Sequence, residues 1–221
     1  MSSDDAGVGP DADRPLSAGE SMALIEREQR EVRRRLNVNV VLFYGPWGAA
    51  YLLGFGAVYL TYPSGLPARL PGAVGAVVTV VLFAVATVTS AVNGVRGGRG
   101  VRGPSRVVGS MYGWSWPLGF GALSLVNSRV IAFGGLSADA ASLLWSGSAL
   151  LLVGVLYLAG GALWQSPAMY ALGVWMLVTG ALSVLVGVPG NFLVLALGGG
   201  GGMLLTAVCF AVRPPRSPTR A

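Results

Sequence analysis

The chain of 221 residues has no histidine, no lysine and a single cysteine, Cys209. Charge is scarce as well: 11% of the residues are charged, where an ordinary soluble domain carries about 25%. Each absence excludes something. Without histidine there is no serine–histidine hydrolase and no histidine metal site. A lone cysteine forms no internal disulfide. Beyond the N-terminal tail the one aspartate is Asp139, so a paired-aspartate site inside a membrane cannot be assembled. No Walker phosphate loop or dinucleotide fingerprint occurs, and Gly198–Gly202 lacks the following lysine. The sequence therefore predicts no enzyme, no cofactor and no metal site. Nucleic-acid binding is not expected either, since no soluble domain remains to carry a recognition element.

What is present is apolar: 53% of the residues are hydrophobic. Six stretches hold no charge at all: 40–60, 72–92, 107–126, 143–163, 168–188 and 192–212. Each is 20 or 21 residues long, which matches the roughly 20 residues a helix needs to cross about 30 Å of hydrocarbon. The 96 residues outside these stretches carry every charge, so no polar material is left to cover the runs in water. The runs are apolar all round, unlike the alternating strands of a β-barrel. The first run follows 39 residues, several of them acidic, and is too long for a signal-peptide core. It reads as a retained anchor. The prediction is an all-α fold, a polytopic membrane bundle of six transmembrane helices at 40–212.

Arginine sets the orientation. Arg27, Arg30, Arg33, Arg34 and Arg35 precede the first run, Arg96, Arg99, Arg102 and Arg106 join the second to the third, and Arg213, Arg216 and Arg220 follow the last. The alternate connections hold Arg69 and Arg129. Twelve arginines against two place both termini in the cytoplasm. Arg96, Arg99, Arg102 and Arg106 also form a cluster suited to anionic lipid headgroups.

Residues 1–16 are rich in Asp, Gly and Pro and read as a disordered acidic tail. Residues 17–39 read as a cytosolic amphipathic helix. Ser17 and Glu20 have capping-box spacing, and Met22, Ile25, Gln29, Val32 and Leu36 fall on one seam. That seam either lies on headgroups or on the bundle's own face, or it docks a protein partner or a second copy. Residues 213–221 form a basic cytosolic tail.

Short segments recur. Leu53–Ala57 returns as Leu118–Ala122, and Gly121–Ser124 as Gly180–Ser183. The offsets of 65 and 59 residues suggest three two-helix repeats.

Two places could interrupt a helix within the membrane. Tyr112, Gly113, Trp114, Trp116 and Pro117 surround a mid-run proline, which supplies no N–H to the carbonyl of Gly113. Gly198, Gly199, Gly200, Gly201 and Gly202 form a run that can unwind locally. Broken helices at the midplane are how many transporters build binding sites. Both groups are therefore candidate substrate-binding residues. Leucine at Gly199 and Gly200 would then stop flux without harming the fold. The alternative is that small residues at four-residue spacing simply pack helices closely.

Arginine as the sole basic residue, with abundant Ala, Gly and Val, suggests a high-GC bacterial genome. The helix Glu20–Leu36, the opening Tyr44-Gly45-Pro46-Trp47-Gly48, and Gly187-Val188-Pro189-Gly190-Asn191 with its glycine run resemble a group of small integral membrane proteins of actinobacteria. The resemblance covers most of the chain. It implies six spans in the bacterial cytoplasmic membrane, and some members are loosely labelled transporters. Two functions follow. One is a permease-like protein, or the membrane partner of a transport system. The other is a scaffold or signalling partner that acts through the N-terminal helix.

Overall fold

A computed structural model describes residues 17, 19, 21–24, 40–62, 70–97 and 104–212. The chain divides into two units, Met1–Asn37 and Val38–Ala221. In the first, Gly19 and Ser21–Leu24 are helical, with the Ser21 amide bonded to the Ser17 carbonyl. Met22 is exposed there. Ile25, Gln29, Val32 and Leu36 lie outside the described residues, as do the two tails.

The second unit is helical throughout its described residues apart from its turns. Helix α1 runs Val40–Ala49, continues through a wide π segment at Ala50–Phe55, and ends at Gly56–Tyr59. Helix α2 is Gly72–Gly97, α3 is Pro104–Gly134, α4 is Ala138–Leu163 and α5 is Pro167–Val186. Helix α6 repeats the form of α1: Gly190–Val194, a π segment at Leu195–Gly200, then Gly201–Val212. Ser137 caps α4 by accepting the Ala140 amide. Ser166 caps α5, with Pro167 in its first turn, where a missing N–H costs nothing. Gly187, at φ 74°, ends α5 in a conformation that side chains resist.

Five of these helices are long and apolar enough to cross a membrane: α1, α2, α4, α5 and α6. The third charge-free stretch also forms a helix, α3, the longest at 31 residues. It is more polar, because Gly, Ser, Tyr, Trp and Pro fill its first half and Asn127, Ser128 and Arg129 its second. Large apolar side chains cover the outside of the bundle, from Val77 and Val81 on α2 to Phe133 on α3 and Leu185 on α5. Water-soluble monomers rarely expose so continuous an apolar surface; insertion into a membrane removes that cost.

Neighbours are set by close contact. Helices α4 and α5 form the most extensive pair. Helix α1 packs on α2 and α6, α6 also on α5, and α3 mainly on α4. Glycine explains the α4–α5 pair. Gly147, Gly154 and Gly161 on α4 recur every seven residues, as do Gly173 and Gly180 on α5. A seven-residue repeat keeps one seam facing the partner helix.

The two π segments touch each other at the α1–α6 contact. Each has a carbonyl held by a flanking helix. Thr79 of α2 donates to the Gly54 carbonyl at 3.0 Å, and the Trp175 indole of α5 donates to the Gly198 carbonyl at 2.8 Å. Bonds of this kind contribute about 0.5–1.5 kcal/mol each. Trp175→Phe is therefore expected to lower stability by about 1 kcal/mol, read as a lower melting temperature in detergent. An unchanged value would show that the bond does not hold the π turn.

The suggested repeat does not extend to the local backbone. Leu53–Phe55 lies in a π segment, whereas the matching Leu118–Ala122 is α-helical.

Candidate functional site

The two groups singled out in the sequence are separated. Helices α3 and α6 make no substantial contact. On α3, Trp114 is 64% exposed, and Gly113 and Pro117 also face outward. The helix continues through Pro117 without a break. The glycine run is helical too, and it is packed. A Cβ on Gly198 would meet Thr179, one on Gly199 the Tyr51 ring, and one on Gly202 the Trp175 indole. Only at Gly201 would a Cβ meet nothing within 4 Å. The run thus fills contacts with α1 and α5.

Tyr112 and Trp116 turn the other way, into the bundle. The Tyr112 hydroxyl donates to the Leu156 carbonyl of α4 at 2.9 Å. Its ring packs edge-on against Trp164 at 4.6 Å. Trp116 meets Tyr157 of α4 at 5.5 Å, and Tyr157 meets Tyr44 of α1 at 6.0 Å. Both Tyr44 and Tyr51 are buried, one heptad apart on α1. Tyr44, Tyr51 and Tyr157 belong to one buried cluster. Tyrosines from three helices, α1, α3 and α4, therefore lie in or beside one buried cluster.

Three of them are unusual. Among the described residues nothing bonds the hydroxyls of Tyr44, Tyr51 or Tyr157. These rings are 7%, 4% and 2% exposed. The one sealed, unpartnered side-chain polar atom among the described residues is Oδ1 of Asn191. Buried polar groups ordinarily find a partner in protein or in ordered water. Tyr112 lies toward the end of the bundle where α4 turns into α5, beside Trp164, whereas Tyr51 lies deeper, against Gly199. The cluster offers hydrogen-bond donors and acceptors and no charge.

Asn191 lies at the opposite end, in the first turn of α6. Its Nδ2 donates to Ser146 Oγ of α4 at 3.3 Å. Nearer the outside of α4, the Asn127 amide donates to Ser148 at 2.8 Å.

An apolar groove of about 340 Å³ runs between α5 and α6, lined by Trp175, Val178, Leu182, Leu193 and Leu197 over Thr179 and Gly198. It opens on the apolar exterior and carries almost no polar surface.

Arg129 covers the Phe133 ring at 4.0 Å. Arg96 and Arg106 are exposed at the facing ends of α2 and α3; Arg99 and Arg102 lie outside the described residues.

The sequence reading therefore found Tyr112 and Trp116 but missed Tyr44, Tyr51 and Tyr157. A signal was available for Tyr157. It stands six residues inside its charge-free run, deeper than an interfacial anchor belongs.

The chain matches no protein-family model, no curated protein and no solved structure.

Proposed function

We propose that the protein is a permease-like component of the bacterial cytoplasmic membrane, spanning it with all six helices and keeping both termini in the cytoplasm. Its site is the cleft of Tyr44, Tyr51, Tyr112 and Tyr157, opening toward the cytoplasmic end beside Trp164. One observation carries the reading: the hydroxyls of three buried tyrosines, Tyr44, Tyr51 and Tyr157, have no hydrogen-bond partner among the described residues. Buried polar groups in native proteins are ordinarily paired, and inside a membrane the cost of leaving them bare is higher. Water or a ligand in the cleft resolves that cost.

The topology has its own test. If α3 crosses, reporters fused after Arg220 and at the N-terminus are expected in the same compartment, the cytoplasm. If α3 does not cross, five crossings put the termini on opposite sides.

The cleft is tested by reactivity. A thiol reacts as the thiolate, which needs water. In a Cys209→Ser background, Tyr157→Cys is expected to react with N-ethylmaleimide within tenfold of an exposed Leu136→Cys control. Leu150→Cys, in the sealed core, is expected to stay inert. Equal inertness at 157 and 150 would reject the cleft.

A further inference from the structure

Asn191 breaks the pairing rule in a different way from the tyrosines. It is 0% exposed, and its Oδ1 has no partner. Turning the amide over does not help. The Ser146 hydroxyl already donates to the Ser142 carbonyl at 2.7 Å, so it takes the amide nitrogen of Asn191 and leaves the oxygen bare. A bare buried acceptor lowers stability. Packing alone does not account for an asparagine at this position.

The position of Ser146 is informative. It shares the buried face of α4 with Leu150, Val153 and Tyr157. Eleven residues separate it from Tyr157, which is about 16 Å along a helix rising 1.5 Å per residue. Between the two lies a dry layer. Leu150 of α4, Met176 of α5 and Leu195 of α6 are all essentially inaccessible and belong to one cluster. Along α4 the order is Tyr157, an apolar layer, then a sealed polar pair whose acceptor has no partner among the described residues.

We infer that Asn191 and Ser146 form a second binding station on the route that begins at the Tyr157 cleft, shut in this structure by Leu150, Met176 and Leu195, and that its ligand is an uncharged molecule carrying a hydrogen-bond donor. The inference rests on the permease-like reading. The ligand must donate, because the open valence at Asn191 is an acceptor. It must be uncharged, because the six charge-free runs hold no group to balance an ion. An unbalanced ion in a low-dielectric interior is far more costly than a neutral polar group. The plug makes this conformation closed toward Asn191, so the station is reached only in a second conformation that parts the layer.

Thiol reactivity in native membranes tests this without knowing the natural ligand. Ser146→Cys, a conservative change, and Asn191→Cys are each placed in the Cys209→Ser background. The small neutral probe N-ethylmaleimide is expected to modify both within tenfold of Tyr157→Cys, although both positions are buried here. A cationic thiosulfonate of similar size, normalised to Leu136→Cys, is expected to react at least 100-fold more slowly at position 146. If Tyr157→Cys reacts while 146 and 191 stay inert, the second station is rejected and the cleft stands. If the cation reacts at 146 as readily as the neutral probe, the uncharged ligand class is rejected. If Tyr157→Cys is itself inert, the cleft falls and the second station with it.

Discussion

Gly200→Leu is expected to prevent the bundle from assembling, while Gly201→Ala one position later is expected to leave it intact. The contrast comes from what each side chain would meet. A Cβ on Gly200 would sit 2.8 Å from the Leu52 amide nitrogen and 2.9 Å from the Gly48 carbonyl oxygen. Both are backbone atoms of α1, on either side of the point where its π segment begins. No rotamer change relieves such a clash; the two helices must separate, and the π–π contact opens with them. Overpacking a tight core typically costs about 1–3 kcal/mol, occasionally more. Alanine at 200 is expected near the middle of that range, and leucine beyond it. Gly201 meets nothing within 4 Å, so alanine there gains helix propensity of up to about 1 kcal/mol. Monodisperse yield in mild detergent and melting temperature read both. Equal behaviour of the two variants would show that α1 and α6 are not in contact here. Bulky residues in the glycine run therefore report on assembly and cannot isolate transport, contrary to the expectation from sequence.

A second large effect is expected at Gly173→Leu. A Cβ at this position would lie 2.7 Å from the Leu158 amide nitrogen and 2.9 Å from the Gly154 carbonyl oxygen. The α4–α5 pair is the most extensive contact in the bundle. In a membrane its stability comes from close packing, since lipid tails are as apolar as leucine. Forcing the helices apart forfeits contacts along the whole glycine seam. A loss of more than about 3 kcal/mol is expected, above the usual overpacking range. Val174→Leu, on the exposed side of the same turn, is expected to change stability by less than about 0.5 kcal/mol. Comparable loss at both positions would place the α4–α5 contact elsewhere.

Much of the helical layout was legible in the sequence because charge is excluded from hydrocarbon. The gaps between arginines and acids locate the five helices long and apolar enough to cross a membrane, and also the more polar α3. The helix ends differ where polar residues continue a helix past the apolar run, as at Asn93–Gly97 and Asn127–Gly134. The π segments were not legible. Nothing local distinguishes Ala50–Phe55 from its surroundings; the wide turn depends on α6 approaching α1, and on Thr79 and Trp175 arriving from neighbouring helices. The glycine heptad at 147, 154 and 161 is legible in the sequence. The tyrosine cleft was half visible. Tyr112 and Trp116 stand out beside Pro117, but Tyr44 resembles an interfacial anchor. Its partner Tyr157 is 113 residues away. That α1 and α4 bring them together depends on helix order, which hydropathy does not encode.

The most direct test is an experimental structure in lipid nanodiscs at a resolution that shows ordered water. The expected result is non-protein density within hydrogen-bond distance of at least two of the Tyr44, Tyr51 and Tyr157 hydroxyls. A cleft closed by side chains, with each hydroxyl bonded to protein and no density between them, would contradict it.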